Sequence, residues 1–443
     1  LMIVKGDGSI ASADSVIEKP IETILSGPAA SVIGANFLSG LNDFIIADIG
    51  GTTSDVATVR NGWPYLNEKG AMAGGYRTLV RAIDMQTVGL GGDSEVELDH
   101  KGNISLSNNR VVPIALLCHR FPQIIDLLKV SLGNGMGLAK ALRFIFLPEG
   151  FHKQKLPSGL SAADLAFLDN IDHQPQSFDK IVIRASDRAR AERFLDRGLI
   201  QVSGLTPSDA AHALKRQSQW SYHGARLGCL MLGRSHGLIT WKKQQDDAEV
   251  EIDRFAQSIF DAMVGKSTML MINQLTATQF SAVDPLVSSV SYGNGCLNDL
   301  GIQLTPSIPI VAVGGPAAVF YPSVGKRLNV DAVIPDNAEV ANAIGAAIGR
   351  IKIRKSIEIT SVDSGGYHIH HQGIPVFAID SADALEQARI LVTAYVEGRA
   401  REMGGGSTEV SIQIERVDLP DMDRTRSLIA ATVSAECLSN PVL

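Results

Sequence analysis

Two rhythms of apolar and polar positions run along the chain. Short apolar runs stopped by paired glycines predict buried strands: Phe44–Ile49 ends at Gly50-Gly51, and 309–313 ends at Gly314-Gly315-Pro316. A strand over Ser54–Arg60 follows the first run directly, and Asn61-Gly62 predicts a two-residue hairpin into a further strand from Trp63. Glycines interrupt the pattern again at Val88-Gly89-Leu90-Gly91-Gly92-Asp93, and Lys101-Gly102-Asn103 predicts another hairpin. From Pro113 the helical period takes over, so about 115–280 is expected to be mostly helical, with a strand-like stretch at 180–183 and a helix over 186–197. Thr206 before Pro207 marks a capped helix start.

Two further stretches are built from small residues. In 21–35, Pro28 sits just inside a helix start, and Gly27, Ser31 and Ala35 share one helical face. A second helix is expected over 338–351, with Ala341, Gly345 and Gly349 spaced four apart. Bare faces let another backbone come close. The tail, 355–443, reads as a hairpin, a long helix over 382–403 and strands at 409–417 and 427–433.

A length of 443 residues exceeds what one core supports, so two or three domains are expected. A 45% hydrophobic and 20% charged composition with 42 glycines fits a folded α/β chain rich in tight turns. The formal charge of -7 argues against a nucleic-acid partner. Cys118, Cys229, Cys296 and Cys437 are scattered singly, which suggests neither zinc ribbon nor disulfide framework and fits a cytoplasmic location. No apolar run reaches the roughly 20 residues of a membrane span, and 1–6 reads as the middle of a strand rather than a signal peptide, so an upstream portion is expected.

The densest chemistry lies in Asp48-Ile49-Gly50-Gly51-Thr52-Thr53-Ser54-Asp55. Glycines let backbone N–H groups approach phosphate oxygens, hydroxyls add donors, and Asp48 and Asp55 suit Mg²⁺ held through water. A plain glycine hairpin with two solvated carboxylates is the competing interpretation.

The segment 45–59 resembles the second phosphate motif of the actin, sugar kinase and heat-shock ATPase superfamily. In the same way 88–93 (VGLGGD) is similar to its following LGGED-type loop, and 311–324 (VAVGGPAAVFYPSV) to its adenosine motif. The small-residue helices resemble its paired connecting helices. Within that superfamily, KPIETILSGPAASVIGA, ADIGGTTSDVA, IDMQTVGLGGDS, GLTPSDAAHAL and PDNAEVANAIGAAIG each resemble hydantoinase/oxoprolinase segments, covering about 17–349. The resemblance implies an α/β, actin-like (ribonuclease H-like) ATPase domain with a helical insertion and a small C-terminal α+β unit. Its parts would be the end of a first actin-like domain with a connecting helix (1–43), a second domain with the insertion at about 115–280 (44–350), and the tail (351–443). It also implies ATP and Mg²⁺ as cofactors. Asp48, Gly50, Gly51, Thr52, Thr53, Asp55, Gly91, Gly92, Asp93, Gly314, Gly315 and Pro316 would line the nucleotide site, with Asp48 and Asp55 toward the metal.

The implied activity is ATP-dependent hydrolysis of cyclic amides or ureides, with carboxylation of small ketones and a non-catalytic regulatory or assembly subunit as alternatives, in an oligomeric protein. The family's first phosphate motif, DxGGTxTD, is absent from these residues, so hydrolysis is expected to need a missing N-terminal half or second subunit. The cysteine-containing GADPGPACYG-type segment is also absent, which leaves the substrate open and the catalytic residues unassigned. Lesser candidates are a metal site at His368, His370 and His371, a core or capping role for His212, and contacts from Asp84 and Asp93 at the cleft floor. Cys118-His119 is disfavoured as a nucleophile and base, because neighbours in a strand face opposite ways.

Overall fold

The computed structural model describes every residue except 68, 71, 74, 75, 81, 136, 152–155, 157, 158, 241–244, 294, 364, 372, 421–425 and 443. The fold is mixed α/β. It divides into two compact units, one of Asp43–Val59 with Met85–Glu339, the other of Leu1–Asn42, Arg60–Asp84 and Val340–Leu443.

The first unit is built on a sheet of β1 (Phe44–Ile49), β2 (Ser54–Arg60), β3 (Met85–Val88), β4 (Ile310–Val313) and β5 (Ala332–Val333), ordered β3-β2-β1-β4-β5. Strand β1 is antiparallel to β2 and parallel to β4, with Val313 opposite Asp48. The two predicted glycine turns therefore leave the sheet at one edge. Phe44, Ile45, Ile46, Ala47 and Ile49 are all buried, which explains why β1 reads as a continuous apolar run rather than an alternating one.

Helices α1 (Ile114–Arg120), α2 (Ala185–Asp196), α3 (Pro207–Ala213), α4 (Gln245–Thr276) and α5 (Ala317–Arg327) surround it. Phe260 of α4 packs on Phe320 of α5 with ring centroids 5.0 Å apart. The hairpin Ser94–Leu98 with Ile104–Arg110 forms where Gly102 was expected to turn it. The segment expected to be mostly helical also carries a small sheet, in the order Val112–Pro113, Gln201–Gly204, Phe144–Phe146, Gln176–Ser177. Residues 180–183 form no strand; Lys180 and Ile181 close the short helix Phe178–Ile181. Phe178 and Ile181 stand one helical turn apart, a spacing that a four-residue apolar run does not distinguish from a strand.

The second unit has a sheet ordered Ile374–Ala378, Tyr367–His371, Ile351–Ser361, Arg426–Pro441, Gly405–Pro420. Helix Ser381–Glu402 covers it with Ala384, Ala388, Val392, Val396 and Ala400, all four apart and all buried. Ile10, Ala11 and Val16 join the same core, and Ile10 N–H donates to Arg350 O at 3.0 Å.

In this unit the helices Ser26–Ser39 and Ala341–Ile348 cross in backbone contact. A Cβ on Gly34 would overlap the Ala341 carbonyl, and one on Gly345 the Ala30 carbonyl. The closest approach is thus made by Ala30 and Gly34, one position round from the expected face. Gly27 and Ser31 instead hold Asn342, whose Nδ2 donates to Gly27 O at 2.7 Å and Ser31 Oγ at 3.2 Å. The second helix is shorter than expected: 338–340 form a 3₁₀ turn, Gly349 is the C-cap, and a strand begins at Ile351.

Candidate functional site

Three of the expected glycine turns, those at 50–53, 91–93 and 314–316, meet at the common edge of β1 and β4. Loop 50–53 closes on itself through Gly50 N–H to Thr53 O at 2.9 Å. The loop at 91–93 docks on it, with Gly92 N–H donating to Gly50 O at 3.2 Å and Asp93 N–H to Gly51 O at 2.8 Å. Any Cβ at Gly91 would collide with the Gly51 carbonyl. From the other side Gly314, at a φ of +93°, lies where its Cβ would overlap the Ile49 carbonyl and come 3.1 Å from Asp48 Oδ1. Pro316 completes the ring, 3.2 Å from the Cβ position of Gly92. Gly315 faces open space.

This packing leaves donors unused. The N–H groups of Gly51, Thr52 and Thr53 donate to no acceptor among the described residues, in a turn that is only half-buried. Successive N–H groups of this kind are the sort that can cradle an anion.

Asp48 and Asp55 stand directly opposite each other across β1 and β2. Like charges in such a pair repel. Asp55 is half-buried and its carboxyl is raised above the ordinary range, first by burial and further by the Asp48 charge, against the lowering effect of Thr87, whose hydroxyl donates to it at 2.6 Å. A pair of carboxylates under that strain fits a divalent cation that keeps most of its waters. Asp93 is raised by burial against the Arg110 guanidinium, which reaches its Oδ2 at 3.3 Å. Asp84 lies in the other unit, exposed, and accepts from Asn67 Nδ2 at 3.3 Å.

The motif at 205–212 is fixed to this cluster, since Ser208 N–H donates to Gly92 O at 2.9 Å. Within it Asp209 is fully buried and accepts from Ile114 N–H (3.1 Å), Ala115 N–H (2.6 Å), Thr206 N–H (2.9 Å) and the Thr206 hydroxyl (3.0 Å). One carboxylate thereby caps α1 and α3 together. Burial pushes it up to about 7 despite those donors. His212 Nδ1 contacts Ser208 O at 2.8 Å, Nε2 accepts from Trp220 N–H at 3.2 Å, and its ring stacks on Trp220 at 5.0 Å. Both nitrogens are used in a neutral ring, so His212 is a core histidine.

Cys118-His119 lies in helix α1, not in a strand. The Cys118 thiol is buried and pushed up to about 12 by burial and then by Asp209, which makes it inert. His368 and His370 share a strand face with rings 6.4 Å apart, but His370 is engaged by Thr360 Oγ1 at 2.8 Å. Among the described residues no three His, Cys, Asp or Glu side chains cluster to hold a metal.

Beside Thr52 and Asp93 opens a cavity of about 420 Å³ that runs past Arg110 and Arg120 to Asp196 and Gln201. Nothing in the sequence pattern pointed to it, because its wall joins four separated stretches of chain. Thr87, Ser94, Arg110 and Ser208 were likewise missed. The one legible hint was position, and it covers three of them: Thr87 and Ser94 flank the 89–92 glycines and Ser208 follows the Thr206 cap, whereas Arg110 carries no such mark.

A hydantoinase/oxoprolinase family model matches residues 1–111, which include the 48–55 turn and the 91–93 loop. No curated protein sequence matches the chain. Among solved structures, this chain is similar to the nucleotide-free structure of an acetone carboxylase, at 13% identity and a TM-score of 0.51, covering 99% of this chain and 52% of that one. It is also similar to an ATP-dependent caprolactamase from Pseudomonas jessenii, at 12% identity and a TM-score of 0.45, covering 98% and 52%. The chain thus spans about half the length of each. The first likeness establishes a shared fold. No helix among the described residues is long and apolar enough to cross a membrane.

Proposed function

We propose that the unit holding the glycine turns is the nucleotide-gripping part of an actin-like ATPase that opens cyclic amides or ureides. The observation that carries this reading is the convergence of the three glycine turns around free N–H groups at 51–53. Those groups and the Thr52 and Thr53 hydroxyls would take phosphate oxygens, and the Gly314-Gly315-Pro316 turn, open at Gly315, would lie under the nucleoside. Asp48 and Asp55 would hold Mg²⁺ through water. Bound ATP would supply the phosphoryl group that turns an amide oxygen into a leaving group. The chain's own part is to align that oxygen and neutralise charge, the two terms that dominate phosphoryl transfer. The cavity beside Thr52 is the place for the amide.

The test is nucleotide-dependent thermal stabilisation of the full-length protein, with Gly51→Val and Asp48→Ala expected to abolish it. An undiminished ATP response in both variants would rule out the assigned turn. Ring opening of hydantoin or a lactam with ATP supports the hydrolase. Bicarbonate-dependent ketone turnover in its place assigns the carboxylase alternative, and nucleotide binding with neither activity assigns a regulatory or assembly subunit.

A further inference from the structure

We propose that the cavity beside Thr52 binds a short ω-amino acid, its carboxylate on Arg120 and its ammonium on Asp196. Four charged side chains line this cavity: Asp93, Arg110, Arg120 and Asp196. Asp93 and Arg110 neutralise each other at 3.3 Å. Arg120 and Asp196 have no ion-pair or hydrogen-bond partner among the described residues, so the wall presents one open cation and one open anion to the same space.

Placement strengthens the assignment of the anion. Asp196 is the last residue of the 12-residue helix α2, where the carbonyl ends already favour a positive charge. A ligand ammonium is stabilised there by both. The same lining carries the apolar side chains of Val111, Leu116, Ile200 and Val202, of which Val111, Ile200 and Val202 are buried. That surface suits methylenes. A volume of about 420 Å³ lies at the small end for small-molecule sites, roughly 300–1,000 Å³. The chemistry agrees with the function proposed above and rests on it only for purpose: water opening a lactam leaves a carboxylate at one end of the chain and an amine at the other.

Calorimetry on the full chain without nucleotide tests the binding, using 5-aminopentanoate with pentanoate and pentylamine as single-charge controls. The zwitterion is expected to bind about tenfold or more tightly than either control, because each charge-assisted contact adds separately. Arg120→Gln should abolish the advantage over pentylamine, and Asp196→Asn the advantage over pentanoate; both residues are exposed, so melting temperatures should not move. Equal affinity for pentanoate and 5-aminopentanoate, or no heat from the zwitterion at millimolar concentration, overturns the proposal. Retained ATP stabilisation in that event leaves the glycine site standing, whereas amino-acid binding without any ATP response would remove the function and keep this site.

Discussion

In one unit, Gly34 and Gly345 let two helices touch through their backbones; in the other, Gly51, Gly91 and Gly314 let three loops touch and leave N–H groups without acceptors. The helical glycines face backbone on every close side, so their use is exhausted by packing. The loop glycines differ among themselves. Gly91 and Gly314 abut backbone, Gly51 abuts only the ends of the Asp93 and Arg110 side chains, and Gly315 abuts nothing. A glycine that the packing requires and one that it leaves open are therefore distinguishable by what a methyl group would hit.

Substitution tests that distinction. Gly345→Ala drives a Cβ into a carbonyl that cannot step aside, and a loss of about 3 kcal/mol is expected, read as lost hydrogen-exchange protection in Ser26–Ser39 with protection of β1 and β4 unchanged. Asp209→Ala strips three buried N–H groups of their acceptor and should cost about 2–4 kcal/mol in denaturant unfolding.

Smaller effects follow from protons. His212 is lowered by burial, so below its ordinary value near 6.5 the unfolded chain gains a proton that the folded chain refuses. Stability should fall as pH drops through that value, by at most about 1.4 kcal/mol per unit, and His212→Gln should remove the slope. Asp209, raised from 3.8 to about 7, works in the opposite sense: between those values the folded carboxyl keeps a proton that the unfolded one has lost, and its contribution declines as pH rises. Unfolding curves of Asp209→Asn isolate the histidine effect.

The weakest stability effects belong to the glycines that no backbone crowds, Gly51 and Gly315. Gly51→Ala should cost about 1 kcal/mol, since the Asp93 carboxylate can swing, yet remove most of the ATP-dependent thermal shift. Gly315→Ala should stay within about 0.5 kcal/mol while still weakening nucleotide binding. A Gly315→Ala protein with a normal ATP response would erase the contrast between the two kinds of glycine.

Strands β1 and β4 and their turns were legible because an apolar run ending in Gly-Gly has few alternative structures. Helix Pro207–Ala213 was legible from the Thr206 cap and Pro207. What spacing could not supply was rotation and partnership. Gly27, Ser31 and Ala35 form a small-residue face, but the partner's Asn342 needs Gly27 and Ser31 as acceptors, which turns Ala30 and Gly34 into the contact. The run 180–183 was too short to choose between periods, and the small sheet around Phe144–Phe146 is assembled from segments that each look like loop or helix on their own. Asp209 closes the capping box that Thr206 opens, but its hold on Ile114 and Ala115 spans 95 and 94 positions and leaves no local trace.

Chain order gives the discontinuous unit a temporal character. Ile10 and Ala11 precede by more than 300 residues the strands they share a core with, Ile351–Ser361 and Arg426–Pro441. At roughly 5–20 residues per second, some 400 residues of translation leave that apolar surface uncovered for tens of seconds on the ribosome. The unit holding the glycine turns has all its residues by Glu339 and can fold first. The other unit must wait for Val340–Leu443, so release of the chain before those residues would yield a protein with assembled glycine turns and an incomplete second unit.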